Sequence, residues 1–72
     1  MRLPETFEEW KYAIEVKGNL ALTPELIERR IQILQDVKNK NTKWLIRQYG
    51  NDYRCQLIAW FEQARKSVLL LL

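Results

Sequence analysis

The sequence predicts an all-α fold: a small bundle of four helices, three long and one short, forming a single helical domain over residues 1–72. Apolar residues recur at helical spacing in three segments, helix start and stop signals bracket those segments, and no stretch alternates for long with a strand's two-residue period. The strongest segment is the last, Asp52 to Leu72. With Leu57 as origin, Phe61, Ala64, Val68 and Leu71 lie within about 40° of it, Trp60 about 60° to one side and Ile58 about 100° to the other. Cys55, Glu62, Gln63 and Lys66 point away, so this helix has one face for a core and one for water.

The first helix is expected from about Phe7 to about Lys17. Thr6 and Glu9 have capping-box spacing, Phe7, Trp10 and Ile14 share a face, and Gly18 suits the left-handed residue that ends a helix. Glu8 and Glu9 at its start and Lys17 at its end complement the helix dipole. After a short apolar connector, Asn19 to Leu22, the run Thr23-Pro24-Glu25 supplies an N-cap, a proline at the first helical position and an acid in the first turn. The second helix then carries a wide apolar arc of Leu26, Ile27, Ile31, Ile33, Leu34 and Val37, and is expected to reach about Lys38.

Lys38-Asn39-Lys40-Asn41-Thr42 interrupts that arc with residues that favour turns and caps. The reading is a loop, with Asn41 or Thr42 capping a short third helix from Lys43 to Tyr49; the alternative is one continuous helix over 24–49. Gly50-Asn51 closes the third helix, and Asp52 stands near the cap of the last. Trp10, Ile14, Ile27, Ile31, Leu34, Leu57, Trp60, Phe61 and Ala64, the centres of the apolar faces, are expected to form one core.

With 47% hydrophobic residues and eight aromatics among 72, the chain is far from a disordered composition. A lone core in a chain this short contributes only ~3–5 kcal/mol of net stability, so self-association would help. The net charge of +3 is unevenly placed: residues 1–37 carry five Lys/Arg against seven Asp/Glu, and residues 38–72 carry seven against two. The basic half raises the prior for an acidic partner, nucleic acid included. The N-terminus has no signal-peptide pattern, and the apolar run Val68 to Leu72 is far below the ~20 residues of a membrane span. A single cysteine permits no internal disulfide, and a cytoplasmic location is expected.

Catalysis is not expected. Histidine is absent, which removes the commonest general base and the usual activator of a serine or cysteine nucleophile. Cys55 is read as a packed or half-buried structural thiol. With no His and one Cys, zinc sites built from those ligands are excluded. The pair Glu8 and Glu9 is explained by its place in a first turn, and two glycines cannot make a phosphate-cradling loop. No metal and no cofactor are expected.

The segment 38–54 interleaves Lys38, Lys40, Lys43, Arg47 and Arg54 with Trp44, Tyr49 and Tyr53, residue types that bind phosphates and stack on bases. A solvated turn with its rings packed inward accounts for the same residues. A helix-turn-helix over Thr42 to Arg65 does not fit, because Ile46 stands where that motif needs a small residue, and Asn51 and Gln56 stand where it needs apolar ones. Arg30 falls inside the apolar arc of the second helix, so it either snorkels to the rim or pairs with a carboxylate, a partner's included. Val68, Leu69, Leu70, Leu71 and Leu72 offer more apolar surface than one core face can cover, which marks a candidate interface. The expected function is a non-enzymatic protein-protein interaction or oligomerisation module, regulatory or adaptor-like, with a homodimer as the expected assembly. The alternative is a nucleic-acid-binding regulator using the basic segment 38–54. Membrane adsorption through the tail with Arg65 and Lys66 ranks third.

Overall fold

Among the described residues four helices follow in order: α1 (Phe7–Tyr12), α2 (Pro24–Gln35), α3 (Lys40–Tyr49) and α4 (Asn51–Leu70). The computed structural model describes residues 3–70, and the side chains of residues 3–68. The first two starts follow local chemistry. Thr6 is extended and its Oγ1 accepts the Glu9 N–H at 3.1 Å, while the Glu9 carboxylate reaches back to the N–H of Glu5 at 3.1 Å. Thr23 accepts the Leu26 N–H at 3.2 Å, with Pro24 as the first helical residue.

The end of the first helix differs from expectation. α1 widens into a π-helical turn, Ala13–Lys17, closed by the Gly18 N–H on the Ala13 carbonyl at 2.8 Å. Gly18 is right-handed, with φ −85°, and Asn19 takes the left-handed conformation, with φ 53°. A glycine is still required at 18 for a different reason. A Cβ there would lie 2.9 Å from the Ile14 carbonyl oxygen, inside van der Waals contact.

α2 also stops short, at Gln35 rather than Lys38. Asp36 turns extended and its Oδ1 accepts the Lys38 N–H at 3.1 Å, an Asx turn that competes with continued helix. Two carbonyls near this end are then bonded from distant elements: Ile33 accepts the Thr42 hydroxyl at 2.5 Å, and Leu34 accepts the Arg54 guanidinium at 2.8 Å. The cap of α3 is Asn39 rather than Asn41 or Thr42. Its side-chain oxygen accepts the N–H groups of Asn41 and Thr42, at 2.8 and 3.4 Å, and the third helix begins three residues earlier than expected. Residues 24–49 are therefore two helices. Gly50, with φ 93°, makes the sharp junction into α4.

The core forms where α4 crosses α1 and α2. Trp10 stacks on Trp60 at 5.8 Å and meets Phe61 edge-on at 4.8 Å. Ile27, Ile31 and Ala64 fill the space beside them, and Leu22 of the connector joins the buried set. Of the expected core, Ile14, Leu34 and Leu57 are only half-buried, packed against its edge. Val37 is exposed because α2 ends before it. Glu28 of α2 and Arg65 of α4 pair across the surface. Cys55 is an exposed free thiol, not a packed one, because it lies on the face of α4 that no other element covers. No helix among the described residues is long and apolar enough to cross a membrane.

Candidate functional site

The apolar arc of α2 is wider than one packing partner can cover, and the fold divides it. Ile27 and Ile31 enter the core. Leu26, Arg30, Ile33 and Leu34, which lie about 20° to 120° round the helix from Ile27, face a groove of about 450 Å³. Asn41, Trp44 and Leu45 of α3 and Leu20 of the connector also line it. Trp10, Ile14, Thr42, Leu57 and Phe61 complete the lining. Trp44 is 54% exposed and Leu20 46%, large apolar surfaces left open to solvent.

Arg30 is the one charged residue in that lining. It is exposed and forms no ion pair or hydrogen bond among the described residues, whereas Arg65 is paired with Glu28 and Arg54 is bonded to a carbonyl. The placement expected from its amphipathic stem, at an apolar rim with the head in water, is the one observed. A second hollow, about 590 Å³ on α1, is lined by Leu3, Pro4, Tyr12 and Ala13 with charges of both signs, Glu8, Glu9 and Lys17. It favours no one charge in a ligand.

The basic segment separates into two parts. Lys40, Lys43, Trp44 and Arg47 fall within about 100° on one side of α3, and all four are exposed. Opposite them, Thr42 is buried and Ile46 half-buried against the rest of the chain. α3 thus presents three positive charges, no acid and one large ring on its outer face. Lys38 is exposed in the preceding turn. Tyr49 bridges Trp44, at 6.0 Å between centroids, and Tyr53 of α4, at 5.5 Å. Burial, and after it the charge of Tyr49, raises the Tyr53 phenol above its ordinary value of 10.0. Arg54 does not join the basic face: its Nη1 donates to the Leu34 carbonyl and its Nε to Asn51 Oδ1, both at 2.8 Å. It serves the fold as a cap on α2.

At the C-terminal end, Val68 packs against the core. The expected interface residues Leu69 to Leu72 lie outside the described side chains. No protein-family model, curated protein or solved structure matches the chain. Among the described residues no three His, Cys, Asp or Glu side chains cluster as metal ligands would.

The sequence pattern marks Arg30 and Trp44 as candidates but not the groove that both of them line. Leu20, Leu26, Ile33 and Leu45 were not singled out as surface residues. The available signal was the breadth of the α2 arc, since one neighbouring helix covers a narrower stripe than Leu26 to Val37 spans.

Proposed function

We propose that this chain is a non-catalytic protein-interaction module that docks an acidic, apolar segment of another protein in the groove between α2 and α3. The observation that carries the reading is Arg30, an unpaired positive charge set among Leu26, Ile33, Leu34 and Trp44. Apolar walls supply burial, and one charge without an internal partner supplies selectivity for a carboxylate. Lys40, Lys43 and Arg47 beside Trp44 extend the positive field and speed encounter with an acidic partner. A chain without histidine and with few glycines lends no support to a catalytic reading.

The test is selection of binders from a displayed library of random peptides, followed by affinity measurement on Trp44→Ala and Leu20→Asp. Both residues are exposed, so both variants should melt like the parent and lose the selected peptides by roughly tenfold or more. Binders that both variants retain would remove the groove from consideration.

The exposed face of α3 favours one second reading, binding of single-stranded nucleic acid through Lys40, Lys43 and Arg47 with stacking on Trp44. An oligonucleotide that binds with a steep salt dependence, and loses about one unit of log-log slope per lysine removed, would favour it. Peptide docking, with apolar walls beside its charge pairing, should weaken less steeply as salt rises than phosphate binding does.

A further inference from the structure

Resting on the docking reading above, we infer that the segment accepted by the groove is an α-helix, lying along α2, with a carboxylate placed opposite Arg30. Hydrogen-bonding capacity decides between a helix and an extended strand. An extended segment buried in the groove needs partners for its backbone N–H and C=O groups. The lining offers few, and almost no acceptors: Thr42 already donates to the Ile33 carbonyl, and Asn41, Arg30 and the indole N–H groups of Trp10 and Trp44 are the remaining polar side-chain groups. No strand edge is present among the described residues to pair with an incoming strand. A helix satisfies its own backbone and presents only side chains.

Spacing agrees with this. Leu26 and Ile33 lie on nearly the same line along α2, separated by seven residues or about 10.5 Å, with Arg30 between them. An occupant with apolar side chains at i and i+7 spans the same length, and its i+3 or i+4 position then meets the guanidinium. An apolar residue at that position would cover a charge that has no other partner. The planar fork of arginine matches a carboxylate in two parallel hydrogen bonds, so Asp or Glu is the residue required there. The occupant's flank toward α3 would also be acidic, facing Lys40, Lys43 and Arg47.

The experiment uses the intact chain and the individual peptides recovered by the selection described above. Each is measured by fluorescence anisotropy against the parent, Arg30→Gln and Arg30→Glu, after melting curves show that both variants fold. The expected result is apolar spacing of three, four and seven residues around an acid, helical circular dichroism on binding, and at least roughly tenfold weaker binding to Arg30→Glu. Replacing the peptide's central acid with lysine should restore binding to Arg30→Glu while abolishing binding to the parent. A proline placed on the peptide's solvent side should also weaken binding at least roughly tenfold, since it breaks the helix without touching the contact face. Groove-dependent peptides with a period of two would overturn the inference and leave the docking reading standing, whereas equal affinity for Arg30→Glu would overturn both the inference and the acidic selectivity of that reading. Failure to recover any groove-dependent peptide would overturn both. In that case, salt-steep binding of an oligonucleotide to the same α3 residues would assign the surface to nucleic acid.

Discussion

Gly18 and Asn19 exchange the roles that residue type alone suggests. Asparagine holds the positive φ and glycine the negative one, because carbonyls of the π-turn approach position 18 too closely for a side chain. Gly18→Ala should therefore destabilise by about 1 kcal/mol or more despite the better helix propensity of alanine, as crowding by a backbone oxygen outweighs that gain. Asn19→Gly should be neutral or stabilising by a few tenths of a kcal/mol, since it relieves the left-handed conformation. Urea midpoints of the two variants decide the matter, and the opposite order would mean that Gly18 is the left-handed residue. Tyr53 makes a second single-residue prediction. Its phenol, raised above 10.0 by burial and then by Tyr49, keeps its proton in the folded chain at pH values where the unfolded chain has lost it. The stabilisation is thus complete below pH 10 and lost as pH rises through the folded value. Above pH 10, stability of the parent should fall more steeply than that of Tyr53→Phe.

α3 owes its start to one side chain, with Asn39 holding the N–H groups of Asn41 and Thr42. Asn39→Ala should cost about 1 kcal/mol, read from denaturant unfolding, whereas Asn41→Ala should cost little because Asn41 contributes only its backbone. The end of α2 is arranged differently. Its Ile33 and Leu34 carbonyls take donors from α3 and α4, so Thr42 and Arg54 tie three helices together at one corner. Ile33, Leu34 and Thr42 also line the groove, so this corner holds its α2 and α3 walls together. Among the described residues the first helix is held chiefly by Trp10 against Trp60 and Phe61.

The molecule exposes 5588 Å², more than the roughly 4,700 Å² expected of a compact protein of its mass. That excess matches an open groove and large apolar side chains left exposed, among them Tyr12, Val16, Leu20, Val37, Trp44 and Tyr49. Its stability rests on a small core, and Phe61→Ala should cost about 3–5 kcal/mol, enough to abolish cooperative thermal unfolding in so short a chain. A variant melting like the parent would show that Phe61 is not the centre of the core. The same shortage of buried area means that a bound partner should raise the melting temperature, in proportion to the logarithm of its concentration above Kd.

The number of helices, the starts of the first two and the aromatic centre of the core were legible in the sequence. Each rests on chemistry completed within about four residues: Thr6 with Glu9, Thr23 with Pro24, and the repeat of apolar residues along one face. Arg30 was legible too, as a charge out of place in an apolar arc. The end of α2, the structural role of Arg54, the burial of Thr42 and the existence of the groove were decided only by the tertiary structure. The carbonyls at the end of α2 are bonded by groups nine and twenty residues away, and no local pattern specifies which distant donor will arrive. The division of the α2 arc into a buried and an open part follows from where α3 and α4 lie, and each is tied to the end of α2 by one of those two hydrogen bonds.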